Sequence, residues 1–322
     1  MQEKAPKQRP MDKLHGKNIS PSSFELYKKN LLRLNDGKEI RTVNFLKEPE
    51  KVLEKIAHYK PNTRRTYIIS IVSLLKEEPK LKKLYDRYYS ILVTYNKELK
   101  VNNEKSDAQK VNWLTTEQIK TVYEDLEKSV EPLFQRKKIT ESEYDRIQSF
   151  VILSLYILSP PRRNMDYQLM KIVPKYTDEF DKRFNYLVIG DGENAEFVFN
   201  NYKTQRTYKT QRIAVPIELF AVIKSYLLYH PLKKELKKKK YAVDFLVQST
   251  GKPFTSANTI TRILNKIFKR KLGVSMLRHI YLTDKYGASS QELKEDAADM
   301  GTSVSTIQNQ YIKEPSSDQV DN

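Results

Sequence analysis

The sequence predicts a mainly α-helical protein of two domains, the second holding a small antiparallel β-sheet. Three observations carry this. Apolar residues recur at helical spacing through 21–99, a polar stretch without apolar clusters covers 100–112, and 186–216 alternates with the period of strands. A chain of 322 residues can bury two separate cores.

Residues 1–20 are polar, basic and aperiodic, and are expected to form a flexible tail. A helical domain over 21–99 follows. Phe24, Tyr27, Leu31 and Leu34 define its first helix, with Ser22 or Ser23 available as cap. A second helix is expected over Glu50–His58. A third opens at Pro61 and runs through Ile68, Ile71, Val72 and Leu75 until Pro79 closes it, and a fourth covers Leu81 to Leu99. Lys100–Asn112 reads as an interdomain linker.

Trp113 restarts the chain, which is read as a second domain over 113–314, with a helix capped at Thr115 or Thr116. Helical periodicity dominates to Leu158. Ser159-Pro160-Pro161 then breaks it and is expected to open the next helix, since proline suits a first turn. Tyr186–Ile189 and Glu196–Asn200 read as strands, Lys203–Thr210 as a polar turn, and Arg212–Pro216 as a third strand. Ile217–Tyr229 is apolar and helical. Lys233–Lys240 reads as a solvated basic face with some reach toward phosphate. After Val247 the chain returns to helices and ends in a polar tail over 315–322.

Composition narrows the function. The absence of cysteine excludes disulfides, thiolate metal sites and a cysteine nucleophile, and four histidines make a His-rich metal centre unexpected. Lys and Arg number 58 against 40 Asp and Glu, a net charge of +18 that suits a polyanionic partner such as nucleic acid. Residues 1–112 hold 25 basic and 14 acidic residues, +11 of that total, as expected of an arm gripping phosphate backbone. A lysine-rich solubilising surface, or the codon bias of an AT-rich genome, accounts for part of the same excess. No apolar run approaches the roughly 18 residues of a membrane span, and residues 1–10 have no apolar signal core. The expectation is a soluble intracellular protein outside any membrane, in whichever compartment holds its nucleic acid.

Four segments carry residues suited to phosphoryl chemistry. In Pro161-Arg162-Arg163-Asn164-Met165-Asp166, Arg163 and Asp166 lie three residues apart at a helix start, so a carboxylate can hold the guanidinium as a rigid fork for phosphate; Arg162 is the rival for that role. Asn201-Tyr202-Lys203-Thr204 places a lysine in the turn between strands, and Lys209-Thr210 repeats the dipeptide, so Lys203 and Lys209 compete. Ser275-Met276-Leu277-Arg278-His279 embeds an arginine in an otherwise apolar helix, where it needs an anion. Last, Met300-Gly301-Thr302 precedes Tyr311 in a polar segment.

In this order and spacing the four segments resemble the tyrosine recombinase family, the integrases and recombinases that cut and rejoin DNA through a phosphotyrosine. That family's first arginine, followed three residues later by an acid, matches Arg163 and Asp166. Its hairpin lysine, ahead of a strand ending in Pro, matches Lys203 with Val215-Pro216. Its His-x-Leu-Arg-His box matches Ser275 to His279, and its Leu-Gly-His followed by the nucleophile matches Met300-Gly301-Thr302 and Tyr311. The resemblance covers Trp113 to about Lys313, with the helical arm in the place of a core-binding domain. Two positions depart from the pattern: Ser275 and Thr302 stand where imidazole or indole donors are usual.

The resemblance implies a C-shaped two-domain clamp on double-stranded DNA, a homotetramer bringing two sites together, and cleavage without metal or other cofactor. Arg163 and Arg278 would hold the phosphate, Lys203 would protonate the leaving oxygen, and Tyr311 would attack, with Asp166 and His279 in support. Ser275 and Thr302 would offer hydroxyl hydrogen bonds in place of proton transfer. Arg64 and Arg65, early in the third helix, are the expected DNA contacts of the arm. A type IB topoisomerase using the same chemistry, and a catalytically inactive DNA-binding relative, are the alternatives.

Overall fold

The computed structural model describes residues 9–300 apart from Gly16, Asn18, Glu77, 101–104, Asp191, Glu193 and 239–241; beyond them it describes only Val304 and Gln308. The chain divides into two compact units, Met1–Glu104 and Lys105–Asn322.

The first unit is helical: α1 (Pro10–His15), α2 (Pro21–Leu34), α3 (Pro49–Ile56), α4 (Pro61–Leu75) and α5 (Lys82–Lys100). Its centre is α4, whose Tyr67, Ile68, Ile71, Val72, Leu74 and Leu75 are buried on more than one face because α1, α2 and α5 all pack against it. Asn30 Nδ2 donates to Ser70 Oγ at 3.0 Å between α2 and α4, so this polar pair inside the core is satisfied. Two expectations need correcting. The segment expected to be a flexible tail contains α1, which is anchored by the fully buried Leu14 and by Lys13 pairing with Glu78 at 2.6 Å. The cap of α2 is Ser20, not Ser22 or Ser23, and its hydroxyl accepts from Ser23 N at 3.2 Å.

The second unit opens with α6 (Asp107–Asn112), inside the stretch read as an interdomain linker. A reciprocal capping box between Ser106 and Gln109 stabilises this short helix, and Asn112 Oδ1 accepts from Lys271 N at 3.0 Å. Next come α7 (Thr116–Val130), capped by Thr115, and α8 (Glu141–Ile157), capped by Thr140 with Glu143. The run Phe150–Tyr156 of α8 is buried all round, and α7 and helices later in the chain pack against it. Pro160 and Pro161 do not start a helix. Each disfavours helical backbone in the residue before it, at Ser159 and Pro160; the chain stays non-helical through Arg163, and α9 covers only Asn164–Gln168.

Then follow β1 (Met170–Val173), β2 (Asn185–Ile189), β3 (Ala195–Phe199), α10 (Gln205–Tyr208), β4 (Gln211–Ala214), α11 (Ile217–Leu228), α12 (Lys233–Lys238), β5 (Val243–Asp244), α13 (Thr259–Phe268) and α14 (Val274–Asp299). The sheet is mixed and five-stranded, in the order β4-β3-β2-β1-β5, rather than the three-stranded antiparallel sheet expected. β1 and β2 run parallel, with Met170 opposite Asn185; β2–β3 and β3–β4 are the antiparallel pairs expected. The 174–184 crossover between the parallel strands lays Tyr176, Phe180 and Phe184 against Val173, Tyr186 and Val198 on one face. The opposite face gives Ile172, Leu187, Phe197 and Phe199 to the main core with α8.

Candidate active site: an arginine cleft

One cleft of about 400 Å³ in the second unit gathers residues from three separate parts of the chain. Pro160 to Arg163 and Asp166 line one side, Arg278 of α14 enters from another, and Tyr202, Tyr208, Gln211 and Ile213 form the wall on the β3–β4 side.

The two adjacent arginines are used differently. Arg162 Nε donates to Asp166 Oδ2 at 3.0 Å and its Nη1 donates to Gln211 Oε1 at 3.0 Å. Its guanidinium lies 3.7 Å over the Phe199 ring centroid and 5.1 Å from that of Tyr202. Arg163 was expected to be the partner of Asp166. It is instead the N-cap residue of α9, with extended backbone (φ −78°, ψ 156°), and its guanidinium has no hydrogen bond or ion pair among the described residues. The three-residue spacing rule assumes both residues are inside the helix; because α9 starts only at Asn164, the acid is reached from Arg162.

Arg278 is half-buried on α14, where Leu277 and Ile280 fix the helix against the core. Its guanidinium has no ion pair among the described residues either. Burial holds its pKa below the ordinary value, Arg163 and Arg162 push it the same way, and Asp166 opposes them. Burial raises the pKa of Asp166, against the pull of Arg162 and Arg163. Three guanidinium groups thus share one lining carboxylate, and that carboxylate is taken by Arg162. The remaining positive charge calls for an anion from outside.

The other expected residues are not gathered into this cleft. Lys203 and Lys209 are exposed, on either side of α10, and neither lines it. Lys209 has left-handed backbone (φ 56°), and its carbonyl accepts from Tyr202 Oη at 2.7 Å. Ser275 and His279 are exposed on α14 and do not line the cleft. Thr302 and Tyr311 lie outside the described residues.

In the first unit, the expected DNA contacts pack onto α5. Arg64 lies 5.9 Å from the Tyr95 ring centroid with its Nε buried and unpartnered, and Arg65 Nε donates to Asn96 Oδ1. Sequence reasoning missed Gln211, Tyr208 and Asn185. Gln211 and Tyr208 carry no distinguishing pattern, whereas the four-residue interval from Arg162 to Asp166 was available to mark that pair.

Among the described residues no three His, Asp or Glu side chains are grouped to hold a metal ion, and no helix is long and apolar enough to cross a membrane. No protein-family model, curated protein or solved structure matches the chain.

Proposed function

We propose that the chain is a tyrosine recombinase that cleaves and rejoins double-stranded DNA through a covalent 3′-phosphotyrosine. One observation carries this reading: Arg163 and Arg278, distant in sequence, meet at one cleft with no acidic partner of their own among the described residues. The four-segment resemblance supplies the reaction type.

In this reading the two guanidinium groups grip the non-bridging oxygens of the scissile phosphate and stabilise the charge that builds on them in the five-coordinate transition state. Arg162, held by Asp166, Gln211 and Phe199, fixes the segment that carries Arg163. The phenolate oxygen of Tyr311 bonds to phosphorus as the bond from phosphorus to the 5′ oxygen breaks, and Lys203 or Lys209 gives the leaving oxygen its proton. The phosphotyrosine keeps the phosphodiester's energy, so a 5′-hydroxyl from the same or another duplex displaces Tyr311 and reseals the strand without ATP. Strand exchange between two duplexes requires a tetramer; a monomer doing the same chemistry on one duplex is a type IB topoisomerase.

The inactive-relative reading draws on one observation: Ser275 and His279 stay out of the cleft, whose described wall holds no imidazole. Covalent trapping separates the readings. Wild type, Tyr311→Phe and Arg278→Ala are incubated in EDTA with nicked duplex substrates that lose the 5′ strand after cleavage, then run on a denaturing gel. A protein–DNA adduct with wild type alone supports the proposal. No adduct on DNA that is demonstrably bound overturns it in favour of binding only.

A further inference from the structure

We propose that Asn185 is a positioning residue that sets the lysine-bearing loop against the arginine cleft. The inference rests on the recombinase reading and goes beyond it by naming what aligns two of its parts. Asn185 is the first residue of β2, near the middle of the sheet, and is only 3% exposed. Its Nδ2 donates to Asp166 O at 2.8 Å and to Asn201 O at 3.0 Å, while its Oδ1 accepts from Asn200 N and Asn201 N, both at 2.8 Å. An amide has two donor hydrogens and two acceptor lone pairs, so every one is used. The partners also fix the orientation of the amide, because two carbonyls face its nitrogen and two N–H groups face its oxygen.

What the four bonds join gives them their meaning. Asp166 belongs to α9, the five-residue helix that follows Arg163 and whose carboxylate holds Arg162. So short a helix has little stability of its own. Asn200 and Asn201 form the exit from β3 that leads directly into Tyr202 and Lys203.

The far end of the same loop is tied to the same knot. Asn200 Oδ1 accepts from Thr210 Oγ1 at 3.0 Å and from Tyr176 Oη at 3.2 Å, and Asn200 Nδ2 donates to Phe184 O at 3.2 Å. Residues 200–210 therefore leave and rejoin the sheet through amides anchored, directly or through Asn200, on Asn185. Both lysines in contention lie inside that loop, which Tyr202 Oη also ties through Lys209 O, so Asn185 fixes the end from which the loop leaves and Asn200 the end at which it returns.

The test separates proton delivery from phosphate grip. Asn185→Asp keeps size and the acceptor oxygen but cannot donate to either carbonyl when ionised. Its single-turnover cleavage is measured on a normal duplex and on one carrying sulfur in place of the bridging 5′ oxygen. A thiolate leaves without a proton, so that substrate does not need the lysine. Misplacing a group by about 1 Å can cost about 10²-fold. The expected result is a loss of that order on the oxygen substrate, unchanged DNA affinity, and recovery of at least about tenfold on the sulfur substrate.

Thr210→Val, at an exposed position, reports the same loop without disturbing the core and should give a smaller loss that sulfur also relieves. Unchanged cleavage in both variants, or equal losses on both substrates, overturns the proposal while leaving the activity standing. Failure of the wild type to form any adduct on the oxygen substrate overturns the activity itself, and the positioning role with it.

Discussion

Arg162 and Asp166 form an ion pair of 3.0 Å whose side chains are 18% and 3% exposed, while Arg163, one residue further on, pairs with nothing described. The two neighbours should therefore fail in opposite ways. Breaking a buried pair by removing one member costs about 3–5 kcal/mol, because the other charge is left unpaired. Asp166→Ala is expected to destabilise the second unit by about that amount in urea unfolding. Arg163→Ala should change stability by less than about 0.5 kcal/mol, yet reduce covalent-adduct formation by about 10²–10³. If Asp166→Ala unfolds at the wild-type midpoint, the structural role given to the pair is wrong.

The excess positive charge at the cleft predicts stabilisation by anions. Arg163 helps to depress the pKa of Arg278, a sign that the two repel, so any anion bound between them stabilises only the folded chain. Pyrophosphate should raise the melting temperature above that in sodium chloride of equal ionic strength. The double variant Arg163→Gln, Arg278→Gln should melt no lower than wild type without the anion and lose most of the response to it. An equal rise in wild type and double variant would place the anion elsewhere.

Which features could be read from the sequence follows from their physics. The long helices α2, α4, α5, α7 and α8 announce themselves because an apolar face repeats over several turns, and Thr115 marks the start of α7. β2 to β4 are visible because their residues alternate and turn-forming polar residues bound them: 190–194 is a short connection, and 200–210 is longer but polar. β1 and β5 are hidden. Each has at most four residues, and β1 finds its parallel partner only across an 11-residue crossover held by Tyr176 and Phe180. Arg278 stood out as a charge in an apolar helix. The choice between Arg162 and Arg163 turned on where α9 begins, a matter of a few residues, and sequence periodicity is weakest at such boundaries. Asn185 was invisible because its four partners are all backbone atoms.

In the first unit, Tyr88 tests how the loop before α3 is held. Its hydroxyl donates to Leu46 O at 2.8 Å, and burial raises its pKa well above the ordinary phenol value, which keeps it a donor. Tyr88→Phe keeps the ring packing and deletes only the bond, so it should cost about 1 kcal/mol of stability. The anion response of the cleft should not change. A neutral effect on unfolding would mean that the Leu46 carbonyl finds an equivalent partner.

His230 should make the second unit sensitive to mild acid. The ring is fully buried: its Nδ1 accepts from Leu232 N at 3.1 Å and its Nε2 lies 3.1 Å from Phe245 O. The first contact requires a bare Nδ1, so the proton sits on Nε2 and is given to the carbonyl. A second proton would have to occupy Nδ1, facing an N–H group. Burial accordingly holds the His230 pKa below its ordinary value. Above about pH 6.5 the ring is neutral in both folded and unfolded chains, and its contribution is complete. As the pH falls below that point, the unfolded chain takes up a proton that the folded chain refuses, and stability declines until the folded pKa is passed. The urea midpoint should therefore drop more steeply between pH 7 and pH 5 in wild type than in His230→Asn, which starts less stable but does not titrate there. Parallel slopes for the two proteins would remove His230 as the cause.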